Sequence, residues 1–180
     1  MRTPVALAGA VFALVAQAAD GNLDLAHSSL VASFRQQAVS IDAAFRRFGG
    51  EIDYDPAHPA STRASLSVDM TSLDIGDEDS NAEVLKAAWF DAARFPLATF
   101  RSTAVKPTAP GQFDATGELT VKGRTQPITV SVSVQRAGGA LAFDGSFEIS
   151  RRQFDIGDPS WNPVLDDRVR VRFHLLAASH

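Results

Sequence analysis

Between Phe113 and Val134 the chain alternates apolar and polar residues on both sides of one short break, and few folds accept that pattern. Phe113, Ala115, Gly117, Leu119 and Val121 alternate with Asp114, Thr116, Glu118, Thr120 and Lys122. After Lys122-Gly123-Arg124, the residues Ile128, Val130, Val132 and Val134 alternate with Thr129, Ser131, Ser133 and Gln135. A period of two on each side of a turn predicts two half-buried strands joined as a hairpin. Apolar positions are odd before the turn and even after it. Antiparallel partners whose numbers sum to an odd value, such as Leu119 with Ile128 or Val130, therefore share one face. A slip of one residue would put the two apolar rows on opposite faces. Pro127 has no N–H for the ladder, so it is expected to begin its strand or to sit beside the turn.

The same alternation recurs along the chain. One row holds Ala64, Leu66, Val68 and Met70, another Ala98, Phe100, Ser102 and Ala104, and a third Leu141, Phe143, Gly145, Phe147 and Ile149. The last row holds Val169, Val171, Phe173 and Leu175, with Arg168, Arg170, Arg172 and His174 on the opposite face. Residues 22–39 are mixed, with Leu23, Leu25, Leu30, Ala32 and Phe34 as candidate inward residues. Residues 41–54 bring Phe45, Phe48, Ile52 and Tyr54 around a bend at Gly49-Gly50. The period changes once. Ser80-x-x-Glu83 reads as a capping box opening a short helix, with Val84, Leu85, Ala88 and Trp89 on one side and Asp77, Glu78 and Asp79 at its positive end. Phe95-Pro96 stops it. The expectation is an all-β fold of about eight antiparallel strands with one short inserted helix, closed as an up-and-down barrel that can hold a small ligand. For the last two strands, partner numbers summing to 316 would set Phe143 against Phe173 and Phe147 against Val169 inside. Outside, Asp144 would face Arg172 and Glu148 would face Arg168.

A chain of 180 residues suggests one domain. A formal net charge of -4 argues against a nucleic-acid or anionic-membrane partner, which would call for a basic excess. There is no cysteine, so the core must suffice without disulfides. The first residues carry Arg2, an apolar run from Val5 to Val15 and the small-x-small triplet Ala16-Gln17-Ala18. This reads as a secretory signal peptide over residues 1–19, leaving a mature domain over 20–180 in the periplasm. The four histidines, His27, His58, His174 and His180, show no metal-ligand spacing. His27-Ser28 is no catalytic pair, because adjacent strand residues point to opposite faces. Asp77, Glu78 and Asp79 lack the order of a calcium loop. No catalytic, cofactor or metal site is predicted. The arginine row reads as a solvated strand face whose neighbours are Asp144 and Glu148.

Several stretches, in this order and spacing, resemble the YceI family of polyisoprenoid-binding proteins. They are His27-Ser28, Phe45-x-x-Phe48-x-Gly50, the run from Glu83 through Trp89-Phe90-Asp91 to Phe95-Pro96, Thr99-Phe100-x-Ser102, Gly117-x-Leu119-Thr120-x-x-Gly123-x-Thr125, and Arg151-x-x-Phe154. Trp89-Phe90-Asp91 with Gly157-x-x-x-Trp161 resembles the branch associated with cytochrome-b561-like membrane proteins. Three positions depart from the family pattern: Ala32, Gln36 and Asp155. The resemblance implies a lipocalin-like barrel, apolar inside, that holds a long isoprenoid or another amphiphilic lipid without catalysis. A quinone-type isoprenoid is the cargo suggested by the b561 association. The competing reading is an interaction module that docks on a b561-like protein, with lipid only structural. The oligomeric state is left open, a homodimer included.

On this reading the cavity is lined by Phe34, Phe45, Phe48, Leu66, Val68, Trp89 and Phe100 from the first half of the chain. Ala115, Gly117, Leu119, Val130 and Val132 come from the hairpin, and Phe143, Gly145, Phe147, Phe154, Trp161, Val171 and Phe173 from the rest. The small inward residues Ala98, Ala104, Ala115, Gly117 and Gly145 would leave the space. Head-group contacts would fall near Arg151 and Trp161. The signal-peptide reading predicts that exported protein begins at Ala19 or Asp20. Intact-mass measurement checks this, and retention of Met1 would contradict it.

Overall fold

The computed structural model describes residues 21–178. Ten strands form one antiparallel sheet: β1 Ser29–Gln36, β2 Val39–Phe45, β3 Phe48–Asp53, β4 Arg63–Asp69, β5 Leu73–Asp74, β6 Leu97–Ala109, β7 Gln112–Val121, β8 Arg124–Ala137, β9 Ala140–Ser150 and β10 Arg168–Ala178. The order across the sheet is β3-β4-β6-β7-β8-β9-β10-β1-β2-β5. One α-helix, α1 Glu78–Val84, is inserted between β5 and β6.

The count is ten and not eight because two runs are broken at a common corner. β2 and β3 are separated only by Arg46-Arg47, and β4 and β5 by the 3-10 turn Met70–Ser72. Arg46 N–H donates to the Ser72 carbonyl at 3.1 Å, and Asp69 N–H to the Arg47 carbonyl at 2.9 Å. Arg47 N–H donates to Ser72 Oγ at 2.9 Å. The Asp69 carboxylate accepts from Thr71 N–H and from Arg47 Nε. These bonds take the place of ladder bonds that the bend removes. Because β2 runs into β3, this corner joins the two ends of the sheet, which is curled and barrel-like.

A second seam is closed by the first described residues. Asn22 Nδ2 donates to the Ile52 carbonyl at 2.8 Å, and its Oδ1 accepts from Ile52 N–H at 2.9 Å. The side-chain amide thus takes the place of a peptide group on the edge of β3. On the other side Ala178 N–H donates to the Asn22 carbonyl and Asp24 N–H to the Leu176 carbonyl. Leu23 packs between them on the core. Gly21 passes so close to β3 that a Cβ there would lie 1.6 Å from the Gly50 carbonyl oxygen.

In the central hairpin Val121 pairs with Arg124, Gly117 with Ile128, Ala115 with Val130 and Phe113 with Val132. The odd-sum parity holds, but the register is shifted: Leu119 faces Gln126, not Ile128 or Val130. The turn is the two residues Lys122 and Gly123, at φ 49° and 70°, a pair of positive φ values that suits a tight hairpin. Arg124 belongs to β8. Pro127 lies inside β8, opposite Glu118. The β8–β9 ladder begins only at Ser131, so Pro127 costs it no bond.

β9 and β10 also pair with the expected parity and a shifted register. Phe143 faces Leu175, Gly145 faces Phe173, Phe147 faces Val171, Asp144 faces His174 and Glu148 faces Arg170. The register summing to 316 would have opposed Phe143 and Phe173. The observed one seats the Phe173 ring over Gly145, where a Cβ would lie 2.4 Å from ring Cζ. Fitting a large ring over a small residue outweighs the surface charges, since exposed pairs contribute about 0–1 kcal/mol each. Glu148 serves both Arg170 at 2.8 Å and Arg168 at 3.5 Å. Arg172 reaches Asp42, and Asp144 pairs with His174.

The helix begins earlier than the Ser80 box suggests. Asp77 is the N-cap and its carboxylate accepts from Ser80 N–H at 2.8 Å, while Glu78 and Asp79 occupy the first turn. After Val84 the chain continues in turns to Phe95, with Asp91 at φ 48°. Leu85, Trp89 and Phe90 pack on a second core cluster of Met70, Ala92, Ala98, Val121, Phe154 and Ile156.

The loop from β9 to β10 is anchored by Asp167. Its carboxylate accepts from Ser150 Oγ at 2.7 Å, from Arg152 N–H at 3.1 Å and from Arg152 Nε at 2.9 Å. Burial pushes its pKa up, but these hydrogen bonds and the Arg152 charge override burial and hold it at about 2. A depressed carboxylate contributes stability above its unfolded pKa, and that stability is lost as pH falls from about 4 towards the folded value. Asp167→Asn should therefore lower unfolding stability by about 2 kcal/mol at pH 7 and flatten its decline between about pH 4 and pH 2. Denaturant titrations across that range check this, and an unchanged acid limb would contradict it.

Candidate ligand cavity

The inner face of the sheet encloses a cavity of about 230 Å³. An engineered apolar cavity of roughly 150 Å³ already stays dry and admits a benzene-sized guest. Inward positions of all the long strands contribute to its wall, because alternation sends every second side chain there. Phe34, Phe45, Phe48, Leu66, Val68 and Phe100 are in that wall. So are Trp89 from the turns after α1, Ala115, Leu119, Val130 and Val132 from the hairpin, and Phe143, Phe147, Val171 and Phe173 from the last two strands.

Four predicted lining residues are not in the wall. Gly117 lies under the Phe100 ring, where a Cβ would come within 2.5 Å of two ring atoms. Gly145 lies under Phe173 in the same way. At both glycines the chain's own aromatic ring takes the space. Phe154 is fully buried in the second cluster, behind the wall. Trp161 is outside, 38% exposed, and meets Trp89 edge to face at 5.7 Å.

Sequence reasoning also missed part of the wall. Ala43 and Leu73 come from strands whose alternation is short or broken. Ile75, Val84, Phe90, Ile156 and Leu165 come from loops and α1, where a period of two gives no signal.

The cavity runs along β10 from Val169 to Leu175, a span of about 20 Å at the usual rise per residue. At the Leu175 end Tyr54 stacks on Phe113, centroids 6.0 Å apart, and meets Phe143 edge-on at 5.6 Å. The Val169 end is bordered by Ile149, Ile156, Leu165 and Arg151. Among the described residues Arg151 is the only charged one in the wall, and it is 3% exposed. Its Nε donates to the Asp166 carbonyl, Nη1 to Ile156, and Nη2 to the Leu165 carbonyl and to Asn162 Oδ1 at 2.7 Å. These bonds wrap the loop around a buried cation. Burial pushes the Arg151 pKa down, with the Asp167 charge working against that.

Few other polar groups reach the cavity. Thr62 Oγ1 donates to the Pro59 carbonyl, and Ser102 Oγ accepts from Ala64 N–H. Ser67 Oγ is the one buried side-chain polar atom without a hydrogen bond among the described residues. His27 pairs with Asp24 at 2.8 Å on an exposed turn. Ser28 Oγ donates to the Asp24 carbonyl and accepts from Leu176 N–H, so it belongs to the seam and does not partner His27. Among the described residues no group of three or more His, Cys, Asp or Glu could hold a metal ion.

A UPF0312 protein of Vibrio cholerae is 35% identical over 126 residues, which is 68% of this chain and 67% of that protein. Protein YceI of Escherichia coli O157:H7 is 27% identical over 150 residues, 78% of each. The crystal structure of BcnA from Burkholderia cenocepacia superposes with a TM-score of 0.84 at 37% identity, covering 87% of this chain and 99% of that one. A polyisoprenoid binding domain from Saccharophagus degradans, implicated in plant cell wall breakdown, has the same fold at a TM-score of 0.71, 19% identity, and coverage of 87% and 97%. The model of the YceI-like domain matches residues 22–177, essentially the whole described fold, and the chain belongs to the YceI-like family.

Proposed function

We propose that the protein is a periplasmic carrier or store that shelters the hydrocarbon tail of a long isoprenoid, or a comparable amphiphilic lipid, inside the curled sheet. The observation that carries this reading is the cavity itself. It is roomy, about 20 Å long at the strand rise, and walled almost wholly by aliphatic and aromatic side chains. Removing a tail from water contributes roughly 0.8 kcal/mol per buried CH₂. A chain of several isoprene units would bind tightly without any hydrogen bond. Family membership supports a binding role, and the fold shared with a polyisoprenoid binding domain supports this class of ligand. The export signal read over residues 1–19 supports the compartment. A quinone-type head group is the narrower form of the proposal.

Ala115 gives the sharpest test. It is 6% exposed, lies in the wall and faces Val130 across the hairpin. In Ala115→Phe the new ring should enter the cavity. Lipid recovered by organic extraction and mass spectrometry should fall several-fold, while the unfolding midpoint of delipidated protein stays at or above the parent's. Were the space ordinary core, overpacking would cost about 1–3 kcal/mol instead. A clearly lower midpoint with unchanged lipid recovery would contradict the proposal.

A further inference from the structure

The ladder on one side of β2 stops early. β1 and β2 are joined by the two-residue turn Gln37-Ala38, at φ 48° and 65°. That turn and the β1–β2 register direct the N–H and C=O groups of Val39, Ile41 and Ala43 towards β1, and those of Ser40, Asp42 and Ala44 to the other side. There β5 takes up Ala44, opposite Asp74, and goes no further. Among the described residues no hydrogen bond reaches the outward N–H or C=O of Ser40 or Asp42, and both residues are exposed. The inner row of β2 opens in step. Ala43 is buried, Ile41 is half-buried and Val39 is 63% exposed.

The chain that continues past Asp74 forms the other lip of this gap. Ile75 and Val84 line the cavity, as Ala43 does from β2, so an opening between them leads into it. Val84 ends α1, a helix with no buried residue. Among the described residues no hydrogen bond or ion pair joins residues 75–84 to β2. The helix is fastened back to its own strand end instead. Asn81 Oδ1 accepts from Ile75 N–H at 2.8 Å, and Asp74 Oδ1 accepts from Gly76 N–H at 2.8 Å. Gly76 holds a φ of 92° with open space around it, which suits a pivot. An element with little buried surface and few bonds to its neighbours opens at low cost.

We infer that α1 is a gate: it swings about Gly76 away from the unpaired edge of β2, and the cargo passes through the slot between Val39–Ala43 and residues 75–84. The inference rests on the tail-binding reading above and names the route into that space. A gate that leaves the bound and free end states alone changes uptake and release by the same factor and leaves affinity unchanged. A residue that holds the cargo changes affinity.

The experiment follows uptake and release of cis-parinaric acid, a fluorescent fatty acid, by delipidated protein. The chain has no cysteine, so Val39→Cys and Leu25→Cys each carry one thiol. Val39 marks the slot, and Leu25, 51% exposed, lies beside the seam at the Leu175 end. Each variant is joined to biotin maleimide and then capped with streptavidin. The cap at Val39 should slow uptake and release several-fold, and the cap at Leu25 should leave both unchanged. Asn81→Ala, which unfastens α1 from Ile75, should speed both by the same factor at constant affinity. Slowing by the cap at Leu25, no slowing by the cap at Val39, or unchanged rates in Asn81→Ala overturns the inference while tail binding stands. No binding of the probe by the parent protein overturns both. Should Asn81→Ala not fold, the two caps decide.

Discussion

An antiparallel sheet with a continuous apolar inner face must cover that face, and the described residues include no second layer with which to do it. The one α-helix among them is seven residues long. The sheet covers its inner face by curling on itself. That requires both seams to close without leaving unpaired backbone, since an exposed edge invites pairing with other chains. The Arg46-Arg47 corner closes one seam, with Ser72 and Asp69 taking up the broken ladder. Asn22 closes the other by presenting its side-chain amide to Ile52 as a strand would present its backbone. Curling explains the shape, and the cavity follows from it, because the inward rows are not bulky enough to meet across the middle.

How far those rows fill the space is decided residue by residue. Protein interiors are packed like organic solids, and where the chain can reach that density it does. Phe100 covers Gly117 and Phe173 covers Gly145. Where no ring swings across, as at Ala115, the space persists. The ends differ in kind. One is bordered by the stacked rings of Tyr54, Phe113 and Phe143. The other is built from loops wrapped on Arg151 and fastened to the turn after α1, where Gly157 N–H donates to the Ala88 carbonyl. Asp155, at the position where the family resemblance leads one to expect glycine, holds a left-handed φ of 57° and gathers Lys122 and Arg124 from the hairpin.

Much of this was legible in the alternation alone, and the limits are physical. Period two fixes which face a side chain occupies, so it identifies the inward rows of the long strands. It does not fix register, because a shift of two residues preserves every face. The two registers read from charge and turn patterns, Leu119 against Ile128 or Val130 and Asp144 against Arg172, both yield to local fit: a two-residue turn in one case, a ring over a glycine in the other. Loops carry no period, so Ile75, Phe90, Ile156 and Leu165 gave no sign of reaching the cavity. Trp161, predicted in the lining, covers Trp89 from outside. Arg151, which the sequence suggests as a head-group contact near the mouth, is a buried cation, a role that only the carbonyls around it reveal.

The claim on which the account stands is that a hydrocarbon tail occupies the space inside the curled sheet. A crystal structure of the protein loaded with a long-chain amphiphile bearing bromine at the tail end tests it most directly. The account predicts a bromine anomalous peak inside the cavity, within van der Waals contact of Phe113, Val132 or Phe143. Bromine found only on the outer surface, with ordered water filling the space among those side chains, would contradict it.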